Sequence, residues 1–166
     1  FTKCKEITDE QKSSYRRFIK EAGDAPVYFS TVRYSEPYKL FDIAETDAGI
    51  DTECRILLVT GIAKPQPLKE ELEKRGAKVE LMQYADHHNF TKADFDDIVK
   101  QFKNGGYTVI VTTEKDATRM KPHEETLKSI RDSIYVMPIE VEFLDGEEKL
   151  FNQNIYNYVT ENSRNS

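Results

Sequence analysis

The strongest constraint on the fold is the alternation of apolar strands with amphipathic helices in the middle of the chain. The segments Arg55–Thr60 and Tyr107–Thr112 are nearly continuous apolar runs, which is typical of strands buried on both faces of a sheet. Between them the pattern predicts, in order, the helix Pro65–Arg75, the strand Lys78–Gln83 and the helix Thr91–Lys103. Short connections between such elements imply parallel strands with helices packed on the sheet. The sequence therefore predicts a parallel-sheet, three-layer α/β/α (Rossmann-like) domain.

The segments before this core are less regular. Thr8 and Gln11 form a capping-box pattern at the start of a predicted helix. Strand-like sequence begins at Pro26, is interrupted at 35–37 and then resumes, which predicts a small β-hairpin linker or a bent connecting strand. Residues 44–54 are small and acidic with little periodicity, and we interpret them as a loop and a domain boundary.

Further elements are predicted after the core. They are helices at Glu114–Met120 and His123–Ser129, a strand at Ile134–Leu144 and a final helix near Gln153–Val159. The dipeptide Asp145-Gly146 predicts a turn from that strand back into "EEKLF", residues 147–151. We expect this hairpin to pair with the linker segment.

Charge and composition limit the functions that are compatible with the chain. The formal net charge is −6 and the pI is near 5.2, which argues against a nucleic-acid-binding protein, because such proteins normally carry a basic face. No run reaches the roughly 18 apolar residues of a membrane-spanning helix. Cys4 and Cys54 lie far apart without metal-ligand spacing, which favours two reduced thiols in a cytoplasmic protein.

Polar residues follow three of the predicted strands, in the segments Thr60–Pro65, Asp86–Asn89 and Thr112–Ala117. Because ligands of open α/β sheets bind at the carboxyl ends of the strands, we expect these segments to line one site. Each segment also has a structural explanation: a strand-to-helix turn, a solvated loop and a helix cap, respectively. Their placement on the same edge of one sheet is what favours the functional interpretation.

The second and third segments concentrate titratable side chains. Asp86, His87 and His88 suit general acid–base chemistry by an imidazole beside a carboxylate, and Asp and His are also metal ligands. Adjacent histidines on a loop need not point in the same direction, so a shared metal does not follow. Lys115 lies at the unfavourable end of a helix dipole, which predicts that it meets a carboxylate or a phosphate.

Three motifs carry a resemblance to a known family: "VTGIAKPQPLKEELEKRGAKVE" from Val59, "YADHHNFTKADF" from Tyr84 and "IVTTEKDATRM" from Ile110. In this order and spacing they resemble the C-terminal half of tetraacyldisaccharide 4′-kinase, the lipid A 4′-kinase of Gram-negative bacteria. The likeness runs from about Pro26 to about Asn154, and "PVYFSTVRYSEPYKLF" resembles Bacteroides-like members of the family.

The resemblance implies an ATP- and Mg²⁺-dependent transfer of the γ-phosphoryl group to the 4′-hydroxyl of a tetraacylated glucosamine disaccharide 1-phosphate. It implies two α/β/α domains joined by a small β linker, acting by peripheral contact at the cytoplasmic face of the inner membrane. His87 matches the family histidine that reaches across the cleft to a catalytic aspartate, with Asp86 holding the imidazole. Thr113, Glu114 and Lys115 are expected to line the substrate site. No metal ligand is assigned to this chain.

The chain contains no G-x-x-x-x-G-K-[ST] phosphate-binding loop. We therefore expect ATP and Mg²⁺ to bind mainly to a missing N-terminal domain, and this soluble fragment to be inactive alone. Residues 1–26 would be the remnant of that P-loop domain, 27–43 the β linker and 44–166 the C-terminal α/β/α domain.

Two other functions are compatible with parts of the sequence. Asp-His-His is the motif of the DHH phosphoesterases, but their chemistry needs further aspartate ligands at strand ends that this chain does not offer in the right setting. A non-catalytic α/β module that binds a nucleotide or another ligand accommodates all the residue patterns without a missing half.

Overall fold

The structure is a computed structural model that describes residues 1–4, 6–23, 25–41, 50 and 53–163 of the chain. Contacts between residues divide the chain into two compact units. One unit comprises Phe1–Arg33 and Glu140–Ser166, and the other comprises Tyr34–Ile139. The second unit contains the segments with the predicted functional residues.

The secondary-structure elements are numbered in chain order. The strands are β1 (Ser30–Tyr34), β2 (Tyr38–Lys39), β3 (Arg55–Thr60), β4 (Lys78–Gln83), β5 (Val109–Thr113), β6 (Ile134–Met137) and β7 (Ile139–Phe143). The α-helices are α1 (Asp9–Ala22), α2 (Gln66–Lys74), α3 (Lys92–Gly105), α4 (Glu114–Met120), α5 (Glu124–Leu127) and α6 (Glu148–Ser163). Short 3₁₀ turns lie at Lys121–His123, Arg131–Ser133 and Leu144–Gly146.

A five-stranded sheet in the order β2-β6-β5-β3-β4 forms the centre of the second unit. β3 pairs in parallel with β4 and with β5, and β5 pairs in parallel with β6. β2 lies at one edge and pairs antiparallel with β6. The predicted α/β fold class is confirmed, and β3 and β4 begin and end at the predicted residues.

Side chains of the central parallel strands β3, β5 and β6 are buried on both faces of the sheet, because alternate residues point to opposite sides, whereas the edge strand β4 is partly exposed. Helices α3, α4 and α5 cover one face, and α2 packs on the other. This three-layer packing explains why the strands read as continuous apolar runs. The buried residues on the first face include Leu57, Val59, Ile110, Phe95, Ile98, Met120 and Leu127, and those on the second include Ile56, Leu58, Val111, Leu68 and Leu72.

Helix α3 has the ends that its sequence predicts. The Thr91 hydroxyl accepts a hydrogen bond from the Asp94 backbone N–H at 3.3 Å, and the Asp94 carboxylate accepts one from the Thr91 N–H at 2.7 Å. This reciprocal capping box satisfies donors that a helix N-terminus otherwise leaves unpaired. Gly106, at φ 66°, ends the helix in the left-handed conformation that glycine adopts without strain.

The first unit is built on helix α1 and the pair β1–β7. The predicted capping box of Thr8 and Gln11 starts α1. The buried Lys12 ammonium lies 2.7 Å from a carboxylate oxygen of Asp145, which connects α1 to the turn after β7. Phe18 of α1 is largely exposed. Within the described ranges, no helix is long and apolar enough to cross a membrane.

The strand predicted at Ile134–Leu144 is two strands in different sheets. The chain changes sheet at Pro138, which has no N–H to donate to a ladder of hydrogen bonds. β6 is fully buried within the five-stranded sheet, whereas β7 is mostly exposed and pairs with β1. The proline inside an apolar run was the sequence signal for this division.

The prediction that "EEKLF" returns as a strand is wrong, because residues 148–151 form the first turn of α6. The predicted turn itself is present, with Asp145 and Gly146 at φ 60° and 70°. Glu and Lys favour helix over strand, and the Phe151 N–H donates to the Glu147 carbonyl at 2.9 Å. Only the first arm of the expected hairpin, β7, pairs with the linker segment through β1.

In the linker segment, β1 pairs with β7 and β2 pairs with β6, so these two strands do not form a hairpin with each other. The predicted boundary loop 44–54 lies largely outside the described residues. Residues 140–163, which the sequence analysis placed in the C-terminal domain, group by contacts with residues 1–33.

Replacing Phe95 tests the packing of α3 on the sheet. Phe95 is fully buried, so Phe95→Ala should lower the free energy of unfolding by about 3–5 kcal/mol, measured by urea denaturation. Lys100→Ala on the exposed side of the same helix is the control and should change it by less than about 0.5 kcal/mol. Equal effects of the two changes would contradict this packing.

Candidate functional site

The carboxyl ends of β3 and β5 are joined by one buried carboxylate, that of Asp116 in α4. Its Oδ2 atom accepts hydrogen bonds from the Thr60 hydroxyl at 3.0 Å, the Gly61 N–H at 2.9 Å and the Thr113 hydroxyl at 2.8 Å. The Arg119 guanidinium lies 3.4 Å from the other oxygen. The first and third polar segments therefore meet directly at one edge of the sheet.

The second polar segment also lies at this edge. The backbone N–H of His87 lies 3.2 Å from the Gly61 carbonyl and 3.0 Å from the Asp86 carboxylate, and it donates to both oxygens. His87 has φ 61°, a left-handed conformation that costs a residue other than glycine on the order of 1 kcal/mol. These contacts hold the turn after β4 against the end of β3.

Gly61 is required for this close approach. A Cβ atom at this position would lie 3.1 Å from the Ala85 carbonyl oxygen and 3.3 Å from the second carboxylate oxygen of Asp116. Both distances are shorter than ordinary van der Waals contacts. A side chain at position 61 would therefore push apart the two segments that meet there.

Lys115 meets a carboxylate, as its position on the helix predicts. Its ammonium lies 3.0 Å from Oδ1 of Asp86, and this hydrogen bond lowers the pKa of the Asp86 carboxyl below its ordinary value. The nearby charge of His87 acts in the same direction. The His87 ring nitrogen Nε2 lies 3.7 Å from Oδ2 of Asp86, and the His87 side chain is 73% exposed. The structure thus brings Asp86, His87 and Lys115 together.

His88 points elsewhere and supports the turn. Its Nε2 atom lies 2.9 Å from the Asp94 carboxylate, and its ring stacks on Tyr84 with 4.9 Å between centroids. The hydrogen bond from the Thr91 backbone N–H is the largest cause of the lowered pKa of the Asp94 carboxyl, and the hydrogen bond with the His88 ring is the second largest. Burial, with the charge of Asp94, raises the pKa of Tyr84 to about 12. His88 therefore has a structural role between α3 and the end of β4.

Thr113 and Glu114 contact partners other than Lys115. The Thr113 hydroxyl caps α4 by accepting the Asp116 N–H at 3.2 Å and donates to the same residue's carboxylate. The Glu114 carboxylate accepts a hydrogen bond from the Ile139 N–H at 3.4 Å. The structure does not bring the Glu114 side chain to the Asp86–Lys115 pair.

Sequence reasoning missed Asp116 as a residue of the site. The available signal was a repeated spacing, because Thr113-x-x-Asp116 matches Thr91-x-x-Asp94 and each Thr is the N-cap of a helix. The spacing predicts a cap in both places, but it does not show that the Asp116 carboxylate reaches β3.

The described residues do not offer a cluster of ligands for a metal ion. Across these residues, no group of three or more His, Cys, Asp or Glu side chains has an arrangement that could hold a metal ion. The Asp86 carboxylate, the nearest acidic group to His87, is already paired with Lys115. A divalent cation would have to displace that ammonium.

A family model described as tetraacyldisaccharide-1-P 4′-kinase matches residues 6–160. The chain belongs to this family of tetraacyldisaccharide 4′-kinases. This confirms the resemblance carried by the three motifs, and it places their residues in a kinase family rather than among the DHH phosphoesterases.

Curated relatives agree with the family model. The chain is 42% identical over 146 residues to a tetraacyldisaccharide 4′-kinase of Bacteroides fragilis, which covers 84% of the chain and 39% of the relative. It is 37% identical over 179 aligned positions to the kinase of the same name from Bacteroides thetaiotaomicron, covering 99% of the chain and 47% of the relative. The chain spans less than half the length of these curated relatives.

A solved structure of the family shares the fold. The crystal structure of LpxK from Aquifex aeolicus in complex with ATP matches 81% of this chain and 36% of that one, with a TM-score of 0.50 and 20% identity. At that identity, the likeness supports the three-layer α/β fold of the tetraacyldisaccharide 4′-kinase family and no finer detail.

Lys115→Met tests the charge pairing at the site. Removing the ammonium should raise the pKa of Asp86 toward its ordinary value, because the hydrogen bond from Lys115 is the largest cause of its lowered pKa. A carboxyl with a lowered folded-state pKa adds stability above its unfolded pKa, and that contribution is lost as pH falls through the folded pKa. The measurement is a ¹³C NMR titration of the side-chain carboxyl groups.

Asp94 provides the internal control for this titration. Its lowered pKa is caused by Thr91 and His88, so Lys115→Met should leave it unchanged. An Asp86 carboxyl that titrates identically with and without Lys115 would show that the 3.0 Å contact does not persist in solution.

Proposed function

We propose that this chain supplies the His87 side of the active site of an ATP-dependent kinase that phosphorylates the 4′-hydroxyl of a tetraacylated glucosamine disaccharide 1-phosphate. The observation that carries the proposal is the placement of His87. Its imidazole is 73% exposed at the carboxyl edge of a parallel sheet, on a left-handed turn fixed to Gly61. Ligands of open α/β sheets bind at this edge.

An exposed imidazole beside an ionised carboxylate suits the proton transfer that the reaction needs. The 4′-hydroxyl loses a proton as its oxygen bonds to phosphorus, and the bond between phosphorus and the bridging oxygen of ATP breaks to leave ADP. Histidine is suited to proton transfer near neutral pH. In this proposal His87 reaches a carboxylate base of a P-loop domain, and Asp86 holds the imidazole ring.

Lys115 pairs with the carboxylate that this role requires. An aspartate is ionised at neutral pH, and the ammonium at 3.0 Å lowers the pKa of the Asp86 carboxyl below its ordinary value. Thr113, Glu114 and Lys115 remain our proposal for a substrate-lining segment. Of these three, only Lys115 extends its charged group toward the Asp86–His87 pair in the structure.

ATP and Mg²⁺ are assigned to a P-loop domain outside this chain. The sequence contains no phosphate-binding loop of the G-x-x-x-x-G-K-[ST] type, and the described residues hold no cluster suited to a metal. When bound, Mg²⁺ would neutralise charge on the transferring phosphoryl group. We therefore propose that residues 1–26 continue from such a domain, that 27–43 link it to 44–166, and that the chain alone is inactive.

The substrate and location follow from the same proposal. The partners are ATP and the acylated disaccharide precursor of lipid A, with no nucleic acid. A lipid of this kind lies in the inner membrane, so the complete kinase would act by peripheral contact at its cytoplasmic face. The names of the curated relatives, tetraacyldisaccharide 4′-kinases, support the substrate in this proposal.

The role of His87 is tested in a complete kinase that contains this chain. His87→Ala should lower kcat by about 10²-fold or more, because positioned proton transfer contributes roughly that much. The assay measures 4′-phosphorylated product formed from ATP, Mg²⁺ and the disaccharide 1-phosphate lipid.

His123→Ala is the matched control. His123 packs on Phe95 with 4.6 Å between ring centroids, so its loss should affect stability and leave kcat unchanged. A His87→Ala enzyme with normal kcat would remove His87 from the proposed chemistry. Product formed by the chain of 166 residues alone would overturn the assignment of ATP binding to another domain.

A further inference from the structure

The two Thr-x-x-Asp segments use their carboxylates differently. In the first, the Asp94 carboxylate accepts the Thr91 N–H at 2.7 Å and so closes its own capping box. In the second, Thr113 accepts the Asp116 N–H, but the Asp116 carboxylate bonds to Thr60 and Gly61 of another strand end. The requirements of a helix cap do not explain this second arrangement.

The environment of Asp116 is also unlike that of an ordinary cap. The residue is fully buried, and three neutral donors converge on its Oδ2 atom within 3.0 Å. The cation in contact with it, Arg119, lies 3.4 Å from the other oxygen. Buried carboxylates are costly unless donors satisfy them, so this charge favours the single arrangement in which its donors are in place.

A short series of contacts connects this carboxylate to His87. Asp116 accepts the Gly61 N–H at 2.9 Å, and the Gly61 carbonyl accepts the His87 N–H at 3.2 Å. Gly61 is thus held through both of its backbone polar groups, and the space where its Cβ would lie is closed by Ala85 and Asp116. A shift of Gly61 would move the acceptor that holds His87 in its left-handed conformation.

We propose that Asp116 is a positioning residue that fixes the turn of His87 through Gly61. The inference rests on the proposed role of His87 in phosphoryl transfer, and it assigns Asp116 no contact with the substrate. The competing explanation is that Asp116 serves only the stability of α4 and the ends of the two strands.

The first experiment measures backbone amide hydrogen exchange by NMR in the chain of 166 residues. In Asp116→Asn, the acceptor of the Gly61 N–H becomes either a neutral amide oxygen, which is weaker than a carboxylate oxygen, or an NH₂ group, which cannot accept. We expect the His87 amide to exchange at least about tenfold faster than the global loss of stability alone predicts. Urea denaturation of the same variant supplies the global value.

Gln11→Ala is the matched control. It removes one partner of the capping box of α1, whose hydrogen bonds do not involve the site. Its effect on the exchange of the His87 amide should not exceed its effect on global stability. If Asp116→Asn behaves in the same way, Asp116 is a structural residue and the proposal is wrong.

Gly61→Ala is a second variant for the same exchange measurement, and it is used if Asp116→Asn does not fold. The added methyl group would meet Ala85 and Asp116 and so disturb the same connection from the other side. The His87 amide should again exchange faster than global stability predicts. An unchanged His87 amide in this variant would also overturn the proposal.

Activity measurements on the complete kinase distinguish this inference from the proposed function. If Asp116 acts through His87, Asp116→Asn should lower kcat about tenfold or more, with little change in KM. Combined with His87→Ala, it should add almost no further loss, since the two residues then act as a unit. If the two changes lower kcat independently, so that their effects multiply in the double variant, Asp116 does not act through His87. A complete enzyme without kinase activity would refute the function, while the exchange data would still decide the role of Asp116.

Discussion

The buried carboxylate of Asp116 is the interaction on which the carboxyl edge of this sheet depends. Parallel strands end with polar groups at one edge, and buried polar groups need partners. Here a single oxygen atom accepts from the hydroxyl of the last residue of β3, from the N–H of the residue after it, and from the hydroxyl of the last residue of β5. Because Gly61 is held in this way, the turn after β4 can rest against it. The exposed imidazole of His87 is a consequence of that arrangement.

The sequence predicted the central elements well because their signals are local. Apolar runs, capping residues and glycine stops defined β3, β4 and α3 to within about two residues, which is the usual precision of helix and strand ends. Strand partners are not local, and the sequence predicted them only in part. The expected pairing with the linker segment is present as β1–β7, but the strand was not divided at Pro138, where the chain leaves the sheet of β6.

The same difference between local and non-local signals applies to the candidate site. The idea that three strand ends form one edge came from topology alone, and Lys115 was expected to meet an acidic partner from its place on the helix dipole. Its partner Asp86 is 29 residues away, and Asp116 reaches Gly61 across 55 residues. Such separations are set by the register of the sheet, so no spacing rule reveals them. Glu114, proposed for the same site from its neighbours in sequence, accepts a hydrogen bond from the Ile139 N–H, a contact that its sequence position also does not reveal.

The contrast between the two adjacent histidines has a practical consequence for chemical labelling. The ring nitrogen Nε2 of His88 is engaged by Asp94 at 2.9 Å and its ring is stacked on Tyr84, so electrophilic reagents have poor access to it. His87 presents most of its ring to solvent, with its nearest carboxylate oxygen at 3.7 Å. An acylating reagent would therefore distinguish two histidines that are neighbours in the chain, and the rate of acylation at His87 would report on the exposure of the strand edge.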